Sequence, residues 1–405
     1  MASVSLTMIV RDEAPNLGPC LAPVRRLVDE IVVVDTGSRD ETVAVAKALG
    51  ARVFHFPWCD DFSAARNEAL EHAQGDWALI LDADDRLLPA EINKLRALLD
   101  ALGDEHVGYV MNQASVAIDG GLADEVEHVR LFRRRSDVRW RYRVHEQILP
   151  AILETGGNAQ RTDIRLAHLG YVDVSTVAKK AARNLALIEL DCASHPLDPF
   201  PNFYRALTFA ELGRHTEAIV ALELCRALIP PSSPLGRSMS LALVQSLRAE
   251  GRSAEALTNI RAARYLLPDD PALCRIEAEM LIETGDISAA ALVLAGCVDC
   301  DQPDLSVDRL RIQKLYGETL LALGHYEAAE DVGRDLTTAR PAFGPGWLVL
   351  VDALLAQGRV DDVTLLVGRL ERTRGAAGVG ATVRETLHLR QHETQKFTRR
   401  TLPWS

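Results

Sequence analysis

Up to about residue 172 the chain alternates short apolar runs with stretches of helical period. Ser3–Val10 reads as a strand, and Ile31–Val34 is a continuous apolar run closed by Asp35, which suits a strand buried on both faces. Thr42–Leu49 has helical character and stops at Gly50. Val53–Phe56 reads as a third strand. Ser63–Ala73 reads as a helix entered at Phe62 and ended by Gly75. Trp77–Leu81 is a fourth strand, halted by Asp82-Ala83-Asp84-Asp85, with a further helical run over Leu87–Leu98. Short strands alternating with helices predict a mainly parallel sheet covered on both faces.

After about residue 196 the strand signals end and a repeat takes over. Gly stands at 213, 251, 285, 324 and 358, at intervals of 38, 34, 39 and 34, each between two segments of helical period. Five residues further on come Ala218, Ala256, Ala290, Ala329 and Val363; seventeen further on come Pro230, Pro268 and Pro341, with Pro303 one place off. Gly supplies a tight turn between helices, Ala lets paired helices approach, and Pro ends the second helix. A period near 34 with this grammar resembles the tetratricopeptide repeat, although its leading Trp and Tyr positions are mostly absent. The expected organisation is a sheet domain over 1–172, a helical connector over 173–196, an all-α repeat solenoid over 197–371 and a tail over 372–405.

Composition narrows the setting. A length of 405 residues favours two or three domains, and 48% hydrophobic with 25% charged residues is globular, not disordered or fibrous. The longest apolar stretches, such as Met8–Val10 and Trp347–Val351, fall far short of the ~18–20 residues that span a bilayer, so no transmembrane segment is expected. MASVSLTMIV has no basic region before its apolar residues, so it does not read as a signal peptide. Seven scattered cysteines do not form a disulfide framework, which points to a reducing, cytoplasmic setting. A net charge of −12 argues against nucleic acid as a partner.

The first candidate chemistry is the Asp82-Ala83-Asp84-Asp85 run. In extended backbone Asp82 and Asp84 point the same way, beyond the carboxyl end of a strand, where open α/β sheets bind ligands. Two hard carboxylates there can share Mg²⁺ or Mn²⁺, or simply form a solvated turn or helix cap. Asp35-Thr36-Gly37-Ser38-Arg39-Asp40 and Asp61-Phe62-Ser63-Ala64-Ala65-Arg66-Asn67 supply the context. Together with SLTMIVRDEAPNL at the start, these ordered motifs resemble glycosyltransferase family 2, of the Rossmann-like GT-A fold, over roughly residues 3–172. The resemblance implies an inverting enzyme that uses a nucleotide-diphosphate sugar of the UDP or GDP type. It places Asp35 at the base or ribose, with Arg11 and Glu13 at the edge of the same pocket. Arg66 falls near the base or pyrophosphate. Asp82 and Asp84 form the DxD element and share the metal, Asp84 being the better placed of the two for direct contact. Asp35 could instead cap the following helix, and Arg66 could pair with Asp60 or Asp61.

Further along, RLFRRRSDVRWRYR, Arg130–Arg143, holds seven Arg. It reads either as a wall facing a diphosphate or as solvated strand side chains. Val144-His145-Glu146 is not a zinc-protease motif, because Leu149 stands where the second His would be. The resemblance puts a base downstream of the DxD, a place that Glu146 fits, with His145 beside it; Asp124, Glu125 and Glu127 are rivals. His168, in Leu166-Ala167-His168-Leu169-Gly170-Tyr171, fits a late metal ligand or a structural hydrogen bond. Cys297-Val298-Asp299-Cys300 lacks a second pair and reads as two ordinary cysteines, and Gly375–Gly380 as a loop without P-loop residues.

The combined expectation is a sugar transfer whose peptide, protein or glycan acceptor, or a second copy in a homodimer, meets the repeats. The order of the two parts is similar to that of bacterial peptide S-glycosyltransferases. The rival readings are a non-catalytic repeat scaffold and a nucleotidyltransferase. The second is disfavoured because Arg11–Asn16 contains no Gly where such enzymes carry a Gly-rich loop.

Overall fold

The computed structural model of the chain describes residues 2–115, 125–169, 174–298, 307–372 and 384–385. It divides into two compact units, Met1–Leu228 and Ile229–Ser405. The first begins β1 (Val4–Val10), α1 (Ala14–Leu21), β2 (Glu30–Asp35), α2 (Thr42–Ala48), β3 (Arg52–His55), α3 (Phe62–His72) and β4 (Trp77–Ile80). It continues β5 (Asp85–Arg86), α4 (Pro89–Asp100), β6 (Val107–Ser115), β7 (Glu125–Arg133), α5 (Leu149–Glu154) and β8 (Asn158–His168). The strands form one sheet in the order β3-β2-β1-β4-β7-β6-β8-β5. β3, β2, β1 and β4 are mutually parallel. β7 runs antiparallel to both β4 and β6, β8 parallel to β6, and β5 antiparallel to β8.

The apolar runs become strands because both faces of the sheet are covered. Leu6, Met8 and Val10 of β1 alternate with the opposite face, and Trp77 and Leu79 of β4 join them on one side against Leu17, Leu21, Leu95 and Leu99 of α1 and α4. Ala78 and Ile80 point the other way, to Leu70 of α3, Phe132 of β7, Trp140 and Ile152 of α5. Val107–Ser115 is strand β6. Its Val107, Tyr109 and Met111 fill the first of these cores.

Helices α6 (Val174–Ser194), α7 (Pro199–Glu211) and α8 (His215–Arg226) complete the first unit. The second unit contains α9 (Pro234–Ala249), α10 (Ser253–Leu266), α11 (Pro271–Glu283), α12 (Ile287–Val298), α13 (Val307–Ala322), α14 (Tyr326–Ala339), α15 (Gly344–Ala356) and α16 (Val360–Arg372). From α7 onward the helices come in pairs, and in each turn the periodic glycine has positive φ: 72° at Gly213 and Gly251, 85° at Gly285, 79° at Gly324 and 74° at Gly358. A left-handed residue ends a helix without the Cβ clash that other residues meet there, which is why Gly recurs. Ala218, Ala256, Ala290 and Ala329 are each 0% exposed, so the small side chain is where the paired helices touch.

Gly333 on α14 has another reason. A Cβ there would lie 2.7 Å from the backbone N and Cα of Leu350 on α15. Gly333→Ala gains about 1 kcal/mol of helix propensity. It also forces two backbones apart, an overpacking cost of ~1–3 kcal/mol or more. The clash is with backbone, which cannot rotate away, so net destabilisation is expected. Thermal unfolding followed by circular dichroism would measure it, and an unchanged or higher melting temperature would contradict it.

Cys274 of α11 and Cys297 of α12 are joined in a disulfide. This corrects the expectation that Cys297 is an ordinary cysteine. The hairpin folds α12 back along α11, and the Cα atoms of two residues 23 apart in sequence come within 6.8 Å. Cys300 lies outside the described residues. No helix among the described residues is long and apolar enough to cross a membrane.

Candidate active site

In the order β3-β2-β1-β4 the chain reverses direction of progress between β1 and β4, and the crevice beyond that switch point is where such sheets bind ligands. The segment after β4 opens there. It does not stay extended: the N–H of Asp85 donates to the carbonyl of Asp82 at 3.0 Å, so Asp82, Asp84 and Asp85 diverge.

Asp82 turns toward two arginines. Arg66 Nη2 reaches its Oδ1 at 2.9 Å and Arg130 Nη1 its Oδ2 at 3.0 Å. Burial works against the charged carboxylate, yet the two guanidinium groups hold Asp82 well below the usual range. Arg66 reaches the site because Asp61 caps α3, accepting from Ala64 N at 2.9 Å, and so places position 66 on the inner face. Its Nε also donates to Glu146 Oε1 at 2.6 Å, and its guanidinium lies 5.1 Å from the Trp140 ring centroid. Arg66 pairs with neither Asp60 nor Asp61. Burial opposes its charge, but Glu146 and Asp82 more than offset that and raise it above its ordinary value. Its Nη1 is buried without a hydrogen-bond partner.

Asp85 is 1% exposed. Its Oδ2 accepts from the Asp82 N–H at 2.9 Å and pairs with Arg130 Nη1 at 3.3 Å. Its Oδ1 accepts from Gln113 Nε2 at 3.1 Å and lies 3.1 Å from His168 Nδ1. The same Nδ1 lies 2.8 Å from Gln113 Nε2, and Nε2 faces Asp84, whose Oδ2 is 3.3 Å away. A ring nitrogen held by a carboxylate while the other faces outward is the arrangement of a metal-binding histidine. Ligand atoms of Asp84, Asp85 and His168 lie within 4.8 Å of one another. Burial pushes the Asp84 carboxyl up, with His168 opposing and Asp82 and Asp85 adding to it, so Asp84 is short of positive charge. Two carboxylates and an imidazole suit Mn²⁺ or Mg²⁺.

Of the seven Arg in Arg130–Arg143, Arg130 alone meets these acids. Arg133 pairs with Asp104, Arg135 with Asp137, Arg139 with Glu71, Arg141 with Glu154 and Arg143 with Asp191, while Arg134 donates to the Gly75 carbonyl. A wall of cations facing a diphosphate is therefore not formed; the pleat of β7 and the loop after it disperse the side chains. His128, two residues before Arg130, is a residue the sequence analysis did not single out. Burial and Arg130 lower it to about 4, so its imidazole is neutral. Gln113 is likewise new, and no local pattern marks either; Asp85 stands in the acidic run, but nothing in the sequence sets it apart from Asp82 and Asp84.

Asp35 is 3% exposed and closes its own turn. It accepts from Ser38 N at 3.1 Å and Gly37 N at 3.3 Å, with His55 Nδ1 3.2 Å away. Arg11 is exposed, and Glu13 is partly buried beside Asn16 Nδ2 at 2.7 Å, its carboxyl raised by burial. His145 stacks on Tyr204 of α7 with centroids 4.2 Å apart, and burial lowers its basicity. Glu127 is exposed and pairs with Arg161 at 3.0 Å, Glu125 opens β7, and Asp124 lies outside the described residues. The structure thus brings Arg66, Asp82, Asp84, Glu146 and His168 into one cluster with Asp85 and Arg130, and puts Asp35 at the carboxyl end of β2.

Residues 5–148 match the family model of Glycosyl transferase family 2. A TPR repeat-containing protein of Synechococcus elongatus is 45% identical over 207 residues, 49% of this chain and 50% of that one. The glycosyltransferase SunS of Bacillus subtilis, derived from the SPbeta prophage, is 26% identical over 220 residues, 54% of this chain and 51% of that one. Among solved structures, glucosyl-3-phosphoglycerate synthase of Mycobacterium tuberculosis matches with a TM-score of 0.35 and 16% identity, over 46% of this chain and 79% of that one. The chain spans about half the length of the curated relatives it matches. With the sheet, the acid cluster and the Gly-turned helix pairs in view, residues 5–148 are similar to Glycosyl transferase family 2, and the sheet is followed by helix pairs of tetratricopeptide-like period.

Proposed function

We propose that the protein transfers a sugar, with inversion, from a UDP- or GDP-type nucleotide sugar to a side chain of a peptide or protein. The observation that carries this reading is the pairing of a metal-competent Asp84–His168 site, braced by Asp85, with the Arg66–Glu146 ion pair in the same crevice. Asp84 and His168 would hold Mn²⁺ or Mg²⁺, which supplies charge for a departing diphosphate. Arg66, with Nη1 uncommitted, adds a fixed donor for the same negative charge. Glu146 is the base. One of its oxygens is anchored on Arg66, and no described hydrogen bond uses Oε2, which is left to accept the acceptor's proton. Asp35, Arg11 and Glu13 border the nucleoside, and Asp82 fixes Arg66. The repeats present an extended surface that selects the acceptor or pairs two copies.

The test is a thermal-shift panel of UDP- and GDP-sugars with Mn²⁺ or EDTA. A ligand that binds only the native state stabilises it by about 2.7 kcal/mol at a hundredfold excess over Kd. One nucleotide sugar should raise the melting temperature in Mn²⁺ and lose most of that effect in EDTA. Stabilisation by nucleoside triphosphates alone, with pyrophosphate release, would replace this reading with nucleotidyl transfer.

A further inference from the structure

Glu146 does not sit on a strand or a helix. It is the next-to-last residue of a loop, 141–147, whose two ends meet in an isolated bridge between Arg141 and Gln147. Two residues of the loop are left-handed although neither is glycine: Tyr142 at φ 72° and His145 at φ 56°. Such backbone persists only where its surroundings over-determine it.

Those surroundings are helical. The Tyr142 ring stacks on Phe200 of α7, centroids 4.6 Å apart, and its hydroxyl donates to Asp198 at 2.9 Å. The N–H of Arg143 donates to Asp191 of α6 at 2.7 Å. Val144 packs among Leu187, Ile188 and Cys192 of α6. His145 lies flat on Tyr204. Four successive residues are thus each tied to α6, α7 or the turn between them. From the sheet side, α3 adds the Phe62 N–H to the Arg143 carbonyl at 2.8 Å, and Asn67 brackets Trp140 with bonds of 3.0 and 2.9 Å.

We infer that α6 and α7 belong to the transfer machinery: they hold the 141–147 loop in a conformation the loop would not keep alone, and so aim Glu146 at Arg66. Tyr204 is the central positioning residue, acting through the His145 ring and the left-handed turn next to Glu146. This rests on the assignment of Glu146 as base. The helix-pair region of the chain would then do more than bind an acceptor, because its first helix would shape the catalytic geometry. Misplacement of a reacting group by ~1 Å can cost a hundredfold in rate.

The test uses the full chain, with release of UDP from UDP-glucose, or of GDP from GDP-mannose, in Mn²⁺ as the readout. Tyr204→Ala removes the platform under His145 and should lower kcat about 10–100-fold with donor KM little changed. Tyr204→Phe keeps the ring and should restore kcat to within about twofold of wild type. Trypsin should cleave after Arg141 or Arg143 faster in Tyr204→Ala than in wild type or Tyr204→Phe. In a Glu146→Gln background, Tyr204→Ala should cause no further loss, since it acts through the group already removed. If Tyr204→Ala does not fold, Tyr142→Phe, which loses only the tie to Asp198, should lower kcat with KM unchanged.

Wild-type kcat in the alanine variant would overturn the inference. So would an equal loss with and without Glu146. A normal rate in Glu146→Gln alone would instead overturn the assignment of the base, so the two failures are told apart.

Discussion

Asp84→Asn will reduce turnover of the nucleotide sugar to the level that wild type shows in EDTA, and added Mn²⁺ will not rescue it. Lewis-acid stabilisation of a departing phosphate is worth several kcal/mol, and each 1.36 kcal/mol is tenfold, so a loss of about 10²–10⁴ is expected. Stability should move differently from activity. Burial and the neighbouring Asp82 and Asp85 raise the Asp84 carboxyl, against the pull of His168. A carboxyl whose folded value is raised opposes folding once pH exceeds its unfolded value, so at neutral pH losing that charge relieves the fold. The lost contact to His168 offsets part of this relief. Calorimetry in EDTA should therefore show no fall in melting temperature. Turnover undiminished by EDTA would remove the metal from the reaction altogether.

Glu146→Gln should leave donor affinity and metal response intact while kcat falls by roughly 10²–10⁴, the usual worth of a positioned general base. The neutral amide can still accept from Arg66 Nε, and Arg66 keeps its pair with Asp82. The pocket should hold its shape, which makes this variant more informative than Glu146→Ala, where a guanidinium that is 11% exposed would lose a partner outright. Single-turnover transfer, with donor Kd measured separately by calorimetry, checks both halves. A near-normal rate would move the role to Asp124, Glu125 or Glu127. Lost donor binding would make Glu146 a structural member of the Arg66 cluster.

The elements that could be read from sequence are those whose cause is local. Ile31–Val34 reads as a buried strand because four apolar residues in a row suit only a strand covered on both sides. The glycines from 213 to 358 announce helix pairs because a left-handed turn residue is a requirement of the backbone at that spot, whatever else the chain does. The acids after Trp77–Leu81 mark the carboxyl end of a strand, where bound ligands are found.

What only the tertiary structure decided lies in pairings between distant residues. Asp85 looks like Asp82 and Asp84 in the sequence, yet it is the buried one, because β8 brings His168 and β6 brings Gln113 against it. Arg130 is one of seven arginines in its segment, and register alone lets it span Asp82 and Asp85. The Cys274–Cys297 bond follows from a hairpin that folds one helix along the next. The 141–147 loop carries no strand or helix signal. Its geometry comes from Asp191, Asp198, Phe200 and Tyr204, about fifty residues on, and the strain at Tyr142 and His145 is held there by contacts that local propensity disfavours. Local patterns record what each backbone segment prefers, whereas a site is built from side chains that meet after folding, and the burial that gives those meetings their strength exists only in the folded chain.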